Sequence, residues 1–491
     1  MLASYDQGVT LSTSRNDPST TRALRASVRS LVRQLPLLLL LCVLSSAAAA
    51  QRGAGPEAEL PRDLVPAWAE ARPSRIIEHH SDPRGGAVER GIQLALAALA
   101  LKPGDMLKIG GGTYSIPKLF NLSLQGLPTA PIWIVPEHDQ RVVITRPDNG
   151  QNVINLGGLG TPARYLIIQG IEVIGGSQGI RLIDADHIWI DRCSVHHTGQ
   201  AGITANSADT SFLTFTRNEI HNTSGTGEGL YLGANNGVHV MSRSLIAYNW
   251  IHHTGGSQGD GIEVKQGSWG NRIVGNVVHD TNYPAILVYG TNGRARNVIE
   301  RNVCFRSGDN VMQVQGEALV RNNLLVKGNI GFHTHDHQGK TRDLVVVHNT
   351  IITPGLGADL FSWNDRPGMV FANNAIYTRK GPAVVFENGS KGVQIAGNVV
   401  VGDVVVGDVV GALEGFAQGQ GLTDFVNVDW KAIALDARPT HGKPLAGAGH
   451  PAHAVSEDLR SDSRAEPVDT GCLVRARPGV GVKKRVPVKP R

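Results

Sequence analysis

Short runs of alternating apolar and polar residues fill most of this chain, and from about residue 164 they recur with a steady beat. An Asn with an apolar residue two places on appears as Asn218-Glu219-Ile220, Asn249-Trp250-Ile251, Asn276-Val277-Val278 and Asn302-Val303-Cys304. It returns as Asn323-Leu324-Leu325, Asn349-Thr350-Ile351, Asn374-Ala375-Ile376 and Asn398-Val399-Val400, with Ile171-Glu172-Val173 and Cys193-Ser194-Val195 in the same place earlier. Successive units lie 21 to 31 residues apart. A period near 25 built from runs this short predicts one turn of a β-solenoid per unit, since a βαβ unit needs about 30 or more residues. The recurring Asn is expected to form a structural ladder in a turn, without chemistry of its own.

Each unit carries a second alternating run after its turn. The expected inward pairs are Ile180/Leu182, Ile203/Ala205, Leu230/Leu232, Ile262/Val264, Ile286/Val288, Met312/Val314, Phe332/Thr334, Phe361/Trp363 and Val384/Phe386. Because strand side chains alternate faces, the residues between and after them face outward. One outward column then reads Arg181, Thr204, Tyr231, Glu263, Leu287, Gln313, His333, Ser362 and Val385. Its neighbour holds Lys265, Tyr289, Gln315, His335 and Asn364. A third recurring set, His196, His221, His252 and His279, is followed each time by Thr198, Thr223, Thr254 or Thr281. Recurrence in four units points to stacking, because one unit would suffice for catalysis.

The segment 86–101 has helical periodicity and is expected to cap the open end of the solenoid, which otherwise exposes apolar core and unpaired strand edges. It leads into PGDMLKIGGGTY (103–114) and Pro131-Ile132-Trp133-Ile134. This order resembles the opening of the secreted right-handed parallel β-helix carbohydrate-active proteins, a group holding alginate lyases, chondroitinase B-like lyases, pectate lyases and mannuronan epimerases. The resemblance spans about residues 74 to 410. It implies an all-β, right-handed parallel β-helix of about ten coils. The expected layout is an N-terminal cap and first strands over 74–163, coils over 164–410, an irregular closing segment over 411–476 and a basic, disordered tail over 477–491.

Composition agrees with many short strands and tight turns: 59 Gly and only 18% charged residues. Arg29 and Arg33 precede an apolar run over 35–43, and the small residues at 45–50 follow. This reads as a signal peptide cleaved after Ala50, with 1–28 the product of a mis-called start, and as a secreted, periplasmic or cell-surface protein. The run is too short to span a bilayer, which takes about 20 apolar residues. Residues 1–50 hold five of the 47 basic and two of the 42 acidic residues, so the remainder carries a net charge of +2. Seven basic residues follow Cys472, which leaves the body mildly acidic and argues against nucleic acid as a partner. Cys193, Cys304 and Cys472 form neither a CxxC pair nor an even set, so no disulfide framework is expected. A monomer acting on acidic polysaccharide is the expected form.

Two constellations carry candidate chemistry. In the first, Glu228 and Asp260 stack in one column with Glu263 nearby, and an oxygen-rich cluster of this kind suits calcium. A uronate's carbon-five proton becomes acidic once its carboxylate is neutralised, and a base then removes it. Lys265 is the expected base, Tyr289 the proton donor, and Glu228, Asp260 and Glu263 the metal ligands. The arrangement resembles the lysine base and acidic ligands of chondroitinase B-like and pectate lyases, with Tyr289 in place of their Arg. In the second, Gly331-Phe332-His333-Thr334-His335-Asp336-His337 resembles a mannuronan epimerase stretch, with His335 and Asp336 in matching places and His333-Thr334 departing from its Asp-Pro. It marks His335 as a further catalytic candidate. Gln313, Gln315, His333, Asp336 and Asn364 are expected to bind substrate. The reaction expected is β-elimination by a lyase; the alternatives are a mannuronan-type epimerase and a non-catalytic glycan-binding or structural β-helix.

Overall fold

In the computed structural model, residues 55–475 are described, apart from 56, 81, 83, 139, 412 and 432–435. The signal peptide expected over 1–50 and the tail over 477–491 lie outside the described residues. The chain winds into an all-β parallel solenoid of about twelve turns, each turn adding one strand to three long sheets, here A, B and C. Sheets B and C each have 13 strands, and nearly every pairing within the three sheets is parallel. The count exceeds the ten coils read from the Asn pattern because the winding already begins at Asp105–Ile109, Gly112–Ser115 and Asn121–Leu122. Those early turns lack the Asn that made the later ones visible.

The Asn ladder sits at the turn between sheets A and B. In each ladder turn the preceding residue takes a left-handed conformation, as Arg217, Tyr248, Arg301, Asn322, His348 and Asn373 do with φ between 53° and 58°. This conformation bends the backbone sharply and strains a side chain modestly. The Asn side chain then compensates. Asn276 Oδ1 accepts from the Asn249 backbone N–H at 3.0 Å and from Asn249 Nδ2 at 2.9 Å. Its own Nδ2 donates to the Ile246 carbonyl at 2.9 Å and to Asn302 Oδ1 at 3.0 Å. The same bonds run unbroken from Asn218 to Asn398, so buried turn amides that water cannot reach are satisfied within the stack.

Inward side chains form one continuous core. Columns such as Ile180, Ile203, Leu230, Ile262, Ile286 and Met312 are fully buried. The expected helix forms at Ala87–Leu99 and closes the end, placing Leu94 and Ala98 on the core beside Leu107, Tyr114 and Ile116. It packs so closely that a Cβ on Gly91 would lie 2.0 Å from the Ser115 carbonyl oxygen. Past the last turns, Phe425, Ala437, Leu445, Cys472 and Leu473 pack with Val399 and Tyr377 on the outer face of sheet B. All three described cysteines are free and buried, and burial pushes the Cys193 thiol up to about 12.

Candidate functional site

Sheet C presents the mixed strip. Its outward column runs Asn155, Arg181, Thr204, Tyr231, Glu263, Leu287, Gln313, His333, Asp359 and Val385. The sequence reading holds to His333 and then slips by three residues. The strand there is Leu356–Leu360, with Ala358 and Leu360 buried inward, not Phe361 and Trp363. Asp359 therefore takes the outward place expected for Ser362, which bends away with φ 61°. Trp363 is still buried, but in a corner against Phe371 and Phe386. Asn364 leaves the strip as well: its side-chain oxygen accepts from the Lys391 backbone N–H at 3.0 Å and shapes a turn.

One end of the strip is a buried charge cluster. The Glu228 and Asp260 carboxyls do fall in one column, since Leu230 pairs with Ile262. Glu228 is bound by the Thr226 hydroxyl at 2.7 Å. Lys265 is only 4% exposed, its ammonium donates to Glu263, and it stands 4.7 Å from the Tyr231 ring centre and 5.5 Å from that of Tyr289. Burial raises the Glu228 carboxyl, and burial with the charges of Glu263 and Glu228 holds Asp260 well above the usual range. Burial also pushes Glu263 up to about 6, against the pull of Lys265. Asp260 Oδ1 and Glu263 Oε2 are buried without a hydrogen-bond partner among the described residues.

These residues do not fit the calcium expected at Glu228, Asp260 and Glu263. Among the described residues, no group of three or more His, Cys, Asp or Glu converges as a metal site. The positive charge beside the carboxylates is Lys265 itself. Lys265 itself is enclosed by the Glu263 carboxylate and two ring faces, so its ammonium is engaged inside the cluster. Tyr289 is nearly buried, and burial and the nearby Glu263 and Asp260 raise its pKa, so its phenol keeps its proton. Segment 335–343 covers this cluster. Gln338 Oε1 accepts from the Asn236 backbone N–H at 3.2 Å, and the His337 ring stands 5.6 Å from that of Tyr289. Asp336 anchors the same segment, accepting from the Thr341 N–H at 2.8 Å and from Arg366 at 2.9 Å, and is thereby committed to structure. Gln315 is buried beneath Gly339, whereas Gln313 stays half-buried on the strip with Asn310 Nδ2 at 3.1 Å.

The other end is a chain of imidazoles. His333 Nδ1 lies 3.0 Å from Asp359 Oδ2, His333 Nε2 lies 2.8 Å from His335 Nδ1, and His335 Nε2 lies 3.3 Å from His337 Nδ1. A carboxylate accepts only, so a neutral His333 ring donates from Nδ1 and accepts at Nε2. The same order passes to His335 and then to His337, leaving His337 Nε2 as a free acceptor on an exposed ring. Burial, aided by the flanking histidines, lowers the His335 pKa and keeps the link neutral. The sequence reading missed both ends of this chain. Asp359 was lost in the register slip. His337 was visible two residues past His335, at the same step that separates His333 from His335.

A family model for the right-handed β-helix region matches residues 152–325, and one for the periplasmic copper-binding protein NosD matches 246–412. Over its span the first match agrees with the stacked parallel sheets described above. No curated protein matches the sequence. Among solved structures, pectate lyase Pel9A is 16% identical, with a TM-score of 0.47, over 83% of this chain and 98% of that one. An alginate lyase from Paenibacillus sp. str. FPU-7 is 20% identical, with a TM-score of 0.42, over 59% and 98%. The PL6 family alginate lyase AlyGC is 12% identical, with a TM-score of 0.43, over 70% and 53%. None of these carries a reaction over to this chain. No described helix is long and apolar enough to cross a membrane.

Proposed function

We propose that this chain is a secreted protein that holds an acidic, uronate-containing polysaccharide along the outward face of sheet C and cleaves it by β-elimination. The observation that carries this is the hydrogen-bonded chain from Asp359 through His333 and His335 to the exposed His337. Asp359 sets the tautomers so that His337 Nε2 offers a lone pair to substrate, and an imidazole is matched to proton transfer near neutral pH. The carbon-five proton passes to His337 Nε2 as the carbon four–oxygen bond breaks and the carbon four–carbon five double bond forms. The leaving oxygen takes the proton back from the same ring. Lys340, exposed on the same segment and 3.4 Å from Asp336, would leave that ion pair to meet the substrate carboxylate. His335 is the link and Tyr289 positions His337, roles that differ from the direct ones the sequence suggested. Gln313 and Tyr231 extend the binding strip. Calcium does not enter the proposal.

The test is incubation with alginate, pectate and glycosaminoglycans, following the ultraviolet absorbance of unsaturated uronide ends. Absorbance that disappears in His337→Ala supports the reading; no absorbance on any acidic polymer sinks it. Exchange of the carbon-five proton for deuterium without cleavage would turn the same geometry into an epimerase. The burial of Lys265 and Tyr289 favours a second reading, a glycan-binding β-helix without catalysis, which predicts that the same polymers bind and stay intact.

A further inference from the structure

Sheet A carries a cavity far from the strip. The chain ahead of the helix forms two short turns, Arg62–Leu64 and Ala67–Glu70, laid along the outer face of this sheet. Leu60 and Leu64 hold it on Ala247 and Val274, while Val65 and Trp68 hold it on Trp133, Ile167 and Trp189. Between arm and sheet is a cavity of about 380 Å³, within the usual range for small-molecule sites. Trp68, His187 and Phe212 give it aromatic walls, Thr214 supplies a hydroxyl, and Arg243 and Arg272 bring positive charge against the single acid Asp63.

The wall on the sheet side is built, not incidental. Tyr165, His187, Phe212 and Arg243 occupy the same place in four successive turns, each in a left-handed conformation with φ between 48° and 54°. Their side chains form a pile. The Tyr165 and His187 rings stack at 4.4 Å, His187 and Phe212 at 4.4 Å, and the Arg243 guanidinium lies 4.6 Å from Phe212 and 5.1 Å from Trp269. Four other arginines at this sheet meet carboxylates: Arg75 meets Asp105, Arg217 meets Asp191, and Arg272 and Arg321 meet Glu300. Arg243 is exposed, lines the cavity and meets no carboxylate among the described residues.

We propose that this cavity is a second binding site, taking one carboxylated sugar unit with its ring on the aromatic wall and its carboxylate on Arg243. A guanidinium fork matches a carboxylate in two parallel hydrogen bonds, and flat apolar walls beside a few polar groups suit a pyranose. The site would hold a polymer away from the strip on sheet C; the choice of a uronate rests on the acidic-polysaccharide reading, but the site does not depend on cleavage.

The test titrates galacturonate, glucuronate and mannuronate, with galactose as the neutral control, into the full chain by calorimetry or saturation-transfer NMR. At least one uronate is expected to bind at least ten-fold more tightly than galactose. Arg243→Gln, an exposed substitution whose melting point should match the parent, is expected to weaken that binding at least ten-fold, and Arg243→Lys to restore part of it. Uronate binding that ignores Arg243→Gln, or that galactose equals, overturns the proposal. If Arg243→Gln loses binding while no polymer is cleaved by the parent, this site stands and the elimination reading falls. If polymers are cleaved and Arg243→Gln changes nothing, the reverse holds.

Discussion

The outer faces of sheets B and C share one backbone and one spacing, yet they are decorated in opposite ways. On sheet B, His196, His221, His252, His279 and Phe305 stack ring on ring at 4.6 to 5.2 Å, with planes within 18° of parallel. Thr198, Thr254 and Thr281 follow and bind turn carbonyls at 2.6 to 2.7 Å. Every member of that column finds its partners in the turns above and below. On sheet C no residue type repeats along the outward column from Asn155 to Val385, acids sit buried with unmatched oxygens, and a histidine chain ends on an open nitrogen. Repetition satisfies itself within the fold, whereas the non-repeating face is left with groups that something outside the fold must meet.

Substitutions should separate the two faces. The largest effect is expected at His337→Ala, with elimination slowed by about 10²–10⁴-fold as for loss of a general base. Asp359→Asn is expected to follow at roughly 10²-fold, since the tautomer order would no longer be fixed; both variants should melt like the parent. If Asp359→Asn keeps full activity, the relay is decoration like the stack on sheet B.

Next comes Asn276→Ala, which strips four buried hydrogen bonds from the ladder. It should cost about 3 kcal/mol in chemical denaturation, as expected for buried groups left unpaired, with turnover per folded molecule unchanged.

The fourth effect is a pH dependence on sheet C. Between the ordinary 4.5 and about 6, Glu263 keeps its proton in the folded protein while the unfolded chain has lost it. Its contribution is therefore full at or below pH 4.5 and is lost as pH rises through 6. The loss is on the order of 2 kcal/mol. Denaturation at pH 4.5 and 7 should show this fall in the parent and a flatter profile in Glu263→Gln; an equal fall in both would assign it elsewhere. The smallest effect is expected at His252→Ala, about 1 kcal/mol of stability from lost stacking, with activity untouched. Loss of activity there would erase the contrast between the faces.

The fold was legible because its signal is periodic. All eight Asn picked out by spacing lie in one hydrogen-bonded ladder, and the capping helix falls inside the segment that helical periodicity marked. Register on sheet C was readable wherever large apolar residues point inward. It failed at Leu356–Leu360 because Gly357 and Ala358 face the core there, while the bulkier Phe361 and Trp363 next to them mimic an inward pair. That slip hid Asp359, and with it the reason His333 and His335 form a chain. The charge cluster was legible as residues but not as an environment. Spacing places Glu228, Asp260, Glu263 and Lys265 together, yet only the return of segment 335–343 over them makes Lys265 a buried partner of Glu263. Contacts spanning about a hundred residues leave no local pattern in a sequence.

The Asn ladder also sets how this protein can change length. Each side chain reaches one turn in either direction, so the stack tolerates gain or loss of whole turns but no fraction of one. Intervals as unequal as 21 residues between Asn302 and Asn323 and 31 between Asn218 and Asn249 are absorbed in the loops, and the ladder bonds on either side stay at 3.0 Å. Length in such a molecule is counted in turns. Duplicating one turn would lengthen the strip on sheet C by about 4.8 Å, a natural route to longer or shorter binding surfaces from a single ancestral unit.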